Sequence, residues 1–356
     1  MEQWAPLHLA YDWDNVGLQI GSAKDETQKV MITLDVVETV VDEAIEAGAN
    51  LIIAHHPLLF NSLKKIDYES FKGKVIQKLI ANQITVYAAH TNLDIAKGGV
   101  NDLLSDALGI TEKEHLIETY EEQLYKLIVY VPKDDADKVR KALGDNGVGH
   151  IGNYSHCSFN TEGTGTFLPE EGTNPFIGKK HQLTFVDEVK IETIVMESDL
   201  QTALDTMRKY HPYEEVAYDL YPLAQKGSTY GLGIVGQLEK QITLADLCIQ
   251  VKDIFDLDAV RVTGNDDTII RKVGILGGSG EKYIQQAKNK GADVFITGDM
   301  TFHQAQDAYE MGLAVIDPGH YIEEIMKNAT KDYLNKLCTE IECIESKIDT
   351  NPFRYV

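Results

Sequence analysis

Three short stretches carry the residue types that bind and activate. His55-His56-Pro57 closes the apolar run LIIA, His90 and Asp94 stand in HTNLD after TVYAA, and His320 and Glu324 stand in DPGHYIEE after LAVI. Imidazole nitrogens and carboxylate oxygens are ligands for divalent cations. Each stretch has an ordinary reading when taken alone: two satisfied histidines at a strand end, a polar loop, an i,i+4 pair on a solvated helix face. Neighbouring side chains on a strand point to opposite faces, so His55 and His56 can share a site only where the strand ends and twists. The pattern after Gly319 is helical, which places His320 and Glu324 on one face. Together His55, His56, Asp94, His320 and Glu324 offer five nitrogen and oxygen ligands and no thiolate. That is too many for one open site and suits two ions bridged by a carboxylate at ~3.5–4 Å. Zinc is the first expectation for the two divalent ions of a subunit, with manganese or iron as other fits, because ligand type does not select among them. Asp299 and His303, four apart beyond another apolar run, are candidates for proton transfer or for orienting a ligand, and His90 joins them. Their ordinary reading is a helix cap and a helix histidine.

The elements that position these residues repeat. KVMITLDV, NLIIAHHP and ITVYAAHTNLD read as buried strands, separated by the amphipathic helices ETVVDEAIEAGA and FKGKVIQKLIANQ. Late in the chain KVGILGG, DVFITGD and LAVIDPGH are again strands, separated by EKYIQQAKNKGA and TFHQAQDAYEMG. GANLIIAHH lies over GADVFITGD with His56 opposite Asp299, an internal duplication of two βαβ halves. Residues 122–223 differ in texture. Strand QLYKLIVYVP, helix DDADKVRKALGDNG, the Gly/Thr-rich hairpin GNYSHCSFNTEGTGTFLP, strand VKIETIVM, helix DLQTALDTMRKY and strand EVAYDLYPL give the β-α-β-β-α-β order of a ferredoxin-like module. The expected architecture is therefore α/β: a duplicated βαβ core around mixed sheets, residues 1–121 and 224–356, with an inserted ferredoxin-like α+β domain at 122–223.

Composition narrows the function. The 356 residues are 43% apolar and 25% charged, with 33 basic against 56 acidic residues and a net charge of −23. Such a balance suits a globular chain of two or three domains and disfavours nucleic-acid partners and anionic membranes. No apolar run approaches the ~20 residues of a membrane span, and the N-terminal MEQWAPLHLA lacks the form of a signal peptide. Cys157, Cys248, Cys338 and Cys343 form no CxxC pair, which fits reduced thiols in a cytoplasmic protein. GLGIVG at 231–236 matches GxGxxG, but no helix follows at once, so a dinucleotide site is not expected. GGSG at 277–280 follows a strand and precedes a helix; it could offer amides to an anion or simply form a tight turn. The polar, aromatic YDWDNVG at 11–17 could line a pocket for a planar ring or pack on a sheet edge.

The segments WDNVGLQIG (13–21), IIAHHPLLF (52–60), AAHTNLD (88–94), GDMTFHQ (298–304) and DPGHYIEE (317–324) together resemble the NIF-three-like (NGG-one-interacting factor three) family, whose members are known as GTP cyclohydrolase I type 2 homologues. The insertion resembles the PII/CutA-like domain of certain bacterial members. The resemblance implies metal positions at His55, His56, Asp94, His320 and Glu324, and a homohexamer of two trimers. Members usually carry a longer helix before the WDN motif than the dozen residues present here.

The leading expectation is a dinuclear metal-dependent hydrolase for a small nucleotide-like or phosphorylated substrate such as GTP, whose ring opening would require water attack at C8. The alternative is a non-enzymatic hexameric regulatory ring with structural metals and a ligand-sensing PII-like module.

Overall fold

Apolar runs bounded by polar turns become the strands that carry the site. The computed structural model describes every residue except Tyr355. Two units are distinct: Met1–Tyr120 with Tyr230–Val356, and Glu121–Thr229.

The first unit begins with strands β1 (Gly17–Ile20) and β2 (Lys29–Thr33), helix α1 (Glu38–Ala47), β3 (Leu51–Ala54), α2 (Phe71–Ala81) and β4 (Thr85–Ala88), then α3 (Thr91–Ile95) and α4 (Val100–Ala107). Helix α1 buries Val40, Val41 and Ala44 and stops at Gly48, whose φ of 70° is the left-handed conformation a C-terminal cap requires. Helix α2 starts where the Ser70 hydroxyl accepts from the Gly73 amide. Strand β5 (Ile110–Pro132) carries the chain into the second unit. There α5 (Ala136–Asp145), β6 (Ser158–Phe167), β7 (Thr184–Met196) and α6 (Leu200–Tyr210) follow, before β8 (Tyr218–Thr243) returns to the first. The chain closes with α7 (Leu244–Ile254), β9 (Arg261–Thr263), β10 (Ile269–Ser279), α8 (Ile284–Asn289), β11 (Val294–Gly298), α9 (Phe302–Glu310), β12 (Ala314–Asp317), a 3₁₀ turn (His320–Glu324), α10 (Ile325–Leu337) and β13 (Glu342–Glu345).

In the first unit, β2, β3 and β4 are parallel, with β13 parallel at one edge and β1 antiparallel at the other. A second set, β10, β11 and β12, is also parallel, flanked by antiparallel β8 and β9. Both sheets are mixed, and each contains a parallel triplet with the middle strand of the sequence in the centre. Parallel strands covered on both faces are apolar throughout, and β11 is buried along its whole length. Phe295 and Ile296 are wholly buried there. Each such side chain contributes roughly 1.5–3 kcal/mol by leaving water.

The second unit has the order strand-helix-strand-strand-helix-strand, with its strands side by side as β6-β7-β5-β8. Its own core gathers Leu127, Val129, Val139, Leu143, Ile191 and Met207.

Three local expectations change. HTNLD, read as the end of a strand and a polar loop, is the buried helix α3, because the His90 carbonyl accepts from the Leu93 and Asp94 amides. The Gly/Thr-rich stretch at 152–169 is not a hairpin in itself. It supplies β6, which pairs antiparallel with β7. The helix expected directly after Gly319 begins as a 3₁₀ turn and becomes α-helical only at Ile325.

Candidate metal centre

Each parallel triplet delivers side chains at its carboxyl ends. Beyond β3, the ladder with β2 continues for two residues: the His55 amide donates to the Thr33 carbonyl and the His56 amide to the Leu34 carbonyl. The twist there turns both rings to one mouth, with centroids 5.1 Å apart. Beyond β4, His90 leads into α3, and Asp94 sits one turn later. Beyond β12, Gly319 adopts a φ of 84° and swings the chain into the 3₁₀ turn. Asp317 fixes that turn, accepting from the Gly319 amide at 2.9 Å and the Met300 amide at 3.0 Å, and pairing with Arg261.

The residues meet around one carboxylate. Glu323 Oε2 lies 3.1 Å from His56 Nε2, 3.1 Å from His320 Nε2 and 3.6 Å from His55 Nε2. His55 Nε2 is 3.5 Å from Asp94 Oδ1. Three sets of ligand atoms each fall within 4.8 Å: His55 with His56 and His90, His56 with His320 and Glu323, and His55 with Asp94 and Glu323. His55, His56, Asp94 and His320 are thus brought together as the sequence suggested. Glu324 is not with them. Its carboxylate pairs with Lys327 at 2.8 Å and is 43% exposed, while Glu323 is buried. The difference in placement has a simple cause. A 3₁₀ helix has three residues per turn, so i and i+3 share a face, whereas the expectation of Glu324 assumed α-helical spacing.

The outer nitrogen of every histidine in the cluster is anchored. His55 Nδ1 donates to the Ala89 carbonyl at 2.8 Å, His56 Nδ1 to Asp35 at 2.7 Å, His90 Nδ1 to Asp14 at 2.9 Å and His320 Nδ1 to Asp299 at 2.7 Å. Such partners fix the tautomer and leave Nε2 facing inward, the arrangement metal-binding histidines use. Asp299 therefore orients His320. His303 is exposed on α9 beside Phe302 and makes no hydrogen bond or ion pair with the cluster. Asp14 belongs to the YDWDNVG turn already marked as a pocket lining, and Asp35 follows β2 directly; the placement of a carboxylate beside a strand end is the signal for both.

Charge follows the same geometry. Burial pushes the His55 imidazole down, against the pull of Glu323. Burial also opposes charge on His56 and His320, but the carboxylates of Asp35, Asp299 and Glu323 outweigh it and raise them to about 10 and about 9. Burial, then the nearby Glu323 carboxylate, pushes Asp94 well up. Burial opposes ionisation of Glu323 as well, yet the surrounding imidazoles hold it well below the usual carboxylate range.

The donors fit a metal. His55 Nε2 and Asp94 Oδ1 are fully buried and have no hydrogen-bond partner, which is costly unless a cation satisfies both. Two amides of the GGSG turn at the end of β10 are taken up within the protein. The Gly277 amide donates to Asn101 and the Gly280 amide to Thr297. A Cβ on Gly278 would stand 2.8 Å from Glu323 Oε1, so the glycine makes room for the carboxylate. Asn101 also donates to the Asp94 carbonyl at 2.9 Å, tying the two halves together.

Fold and site define an α/β protein with a buried histidine–carboxylate centre gathered at the carboxyl ends of two parallel strand triplets. The chain belongs to the Duf34/NIF3 (NGG1p interacting factor 3) family, whose pattern matches residues 1–352. Among its relatives, a GTP cyclohydrolase 1 type 2 homolog of Halalkalibacterium halodurans is 52% identical over 100% of this chain and 96% of its own. The Bacillus subtilis protein of the same name is 49% identical with the same coverage. A crystal structure of a Bacillus cereus protein related to NIF3 superposes with a TM-score of 0.94 at 51% identity, covering 100% of this chain and 96% of that one. No helix among the described residues is long and apolar enough to cross a membrane.

Proposed function

We propose that the protein is a dinuclear metal-dependent hydrolase acting on a small nucleotide-like or phosphorylated molecule. The observation that carries this reading is the sharing of Glu323 between two ligand sets, His56/His320/Glu323 and His55/Asp94/Glu323. With Glu323 common to both, these two sets would hold two neighbouring divalent ions. Bound divalent ions supply Lewis acidity, which lowers the pKa of water to ~7 and polarises a scissile bond. The chain's own residues do the rest. Asp35 and Asp299 orient His56 and His320, and the Ala89 carbonyl orients His55. His90, held by Asp14 at the edge of the cluster, is placed to move a proton to or from a substrate. Asp299 and His303 were the other proton-transfer candidates. Asp299 is committed to His320, and His303 lies exposed on α9.

The names of the relatives favour GTP as the first substrate to assay. Zinc is the first metal to load, then manganese and iron. The homohexamer of two trimers, the cytoplasmic location and the PII/CutA-like nature of the second unit belong to the same proposal; its strand order supports the last. The test is Asp94→Ala. Loss of both metals and of turnover from an assembly of unchanged size supports the hydrolase. Collapse of the assembly, with no turnover to lose in the wild type, supports the structural-metal ring instead. Absence of formate release from GTP by metal-loaded protein that turns over another substrate removes the GTP assignment.

A further inference from the structure

A cleft of about 790 Å³ opens beside the cluster, and none of its lining residues belongs to the three ligand sets. Trp13 and Phe60 form one wall, edge to face at 5.9 Å. Tyr11 backs one face of the indole at 5.6 Å and 12°, yet Trp13 remains 59% exposed. An exposed indole held in place in this way offers an apolar face on which a flat ring can stack. The floor is apolar, from Ile20, Ile76 and Ile80.

The wall is fixed in place. Asn15 Nδ2 donates to the Leu59 carbonyl at 2.7 Å, the Leu59 amide donates to Gln19 Oε1 at 3.1 Å, and Gln19 Nε2 donates to the Asn15 carbonyl at 2.8 Å. This latch ties the turn holding Trp13 to the loop holding Phe60. The same turn supplies Asp14, which grips His90. The His90 ring is 6.3 Å from both Trp13 and Phe60, and 5.3 Å from His55. A ring lying on Trp13 is therefore one imidazole away from the metal-binding cluster. At the rim stand Lys64 and Lys65. Lys65 pairs with Asp67, but Lys64 has no carboxylate partner among the described residues, in a chain with a net charge of −23.

We propose that this cleft is the substrate subsite: Trp13 and Phe60 grip a planar heteroaromatic ring, and Lys64 takes an anionic arm attached to it, as in a nucleoside phosphate. The inference deepens the hydrolase reading and rests on it for the chemistry, but binding by the aromatic wall needs no metal. Base–aromatic stacking is worth ~1–3 kcal/mol by alanine substitution, which sets the expected size of the effect at about tenfold or more.

The sequence holds two tryptophans, and Trp4 is stacked on Tyr333, so the emission of Trp13 can be isolated with Trp4→Phe. The probes are guanosine 5′-monophosphate and guanosine, added to the full chain after chelator treatment and again after zinc loading. The expected result is saturable quenching by the nucleotide in both metal states. Trp13→Ala then weakens nucleotide binding, read by equilibrium dialysis, by about tenfold or more, and Trp13→Phe restores part of it. Lys64→Gln weakens the nucleotide about fivefold, as loss of one exposed charge contact would, and leaves guanosine unchanged. Unchanged nucleotide binding by Trp13→Ala, equal weakening of both probes by Lys64→Gln, or no saturable quenching would overturn the proposal. Binding confined to zinc-loaded protein would also overturn it while leaving the metal centre standing. Quenching by a protein that takes up no metal would support the subsite and remove the hydrolase reading.

Discussion

His56 and His320 come from opposite halves of the core and face each other Nε2 to Nε2 at 3.2 Å, both directed at Oε2 of Glu323. Their Nδ1 atoms are committed to Asp35 and Asp299, so the inner nitrogens are either protonated or bound to a cation. Two bare lone pairs at that separation would repel. The pair therefore couples metal uptake to proton release, and several of the expectations below derive from it.

In the metal-stripped protein His56 and His320 are raised to about 10 and about 9 from an ordinary 6.5. A metal can bind only after their inner protons leave. Metal affinity is expected to rise with pH until both groups are neutral, with proton release near pH 7 on binding. Calorimetry in buffers of different ionisation enthalpy measures it. The sign for stability is the reverse. A raised pKa stabilises the stripped protein fully below the unfolded value of 6.5, and that contribution is lost as pH rises through about 9 and about 10. The thermal midpoint of stripped protein should fall across that window.

Asp35 and Asp299 touch no proposed metal position, but each holds a histidine that does. Asp35 is itself held by the Thr350 hydroxyl at 2.6 Å. Asp35→Asn and Asp299→Asn are expected to weaken metal binding ~10–100-fold without loss of fold. Competition with a chromogenic chelator reads the change, and an unaltered affinity would count against the orienting role.

Gly278 is required for space as well as for its φ of 65°. Gly278→Ala places a methyl 2.8 Å from Glu323 Oε1 and adds left-handed strain of ~1–2 kcal/mol. The expected outcome is a modest fall in stability with a disproportionate loss of bound metal, checked by denaturant titration alongside metal analysis.

Phe295 is wholly buried in β11, with Gly274 and Gly280 close against its ring. Phe295→Ala leaves a cavity that the rigid parallel strands cannot close, so a loss of ~3–5 kcal/mol is expected in urea unfolding of the stripped protein. A loss below ~1 kcal/mol would mean the second parallel triplet is not the packed scaffold described above.

Much of this arrangement was legible because it depends on local pattern. Apolar runs followed by His or Asp mark strand ends, and the match of GANLIIAHH with GADVFITGD pointed to two similar βαβ halves, but the pattern suggested strand ends of one sheet, whereas β3 and β4 lie in one sheet and β12 in another. Glu323 was not legible, since choosing it over Glu324 depends on whether the turn after Gly319 is 3₁₀ or α, and the pull of Asp317 on that turn comes from the fold. The orienting roles of Asp35 and Asp14 were missed for a related reason: a carboxylate that orients a histidine distant in sequence has no periodicity of its own. The helical state of HTNLD was likewise hidden, because a short buried helix is held by its surroundings more than by propensity.

The most direct test compares Glu323→Gln with Glu324→Gln in metal-loaded protein, by elemental analysis and an anomalous-scattering map of crystals. Two ions per chain are expected in the wild type and in Glu324→Gln, among His55, His56, Asp94, His320 and Glu323, with loss of one or both ions in Glu323→Gln. Full metal content in Glu323→Gln with loss in Glu324→Gln would contradict this expectation.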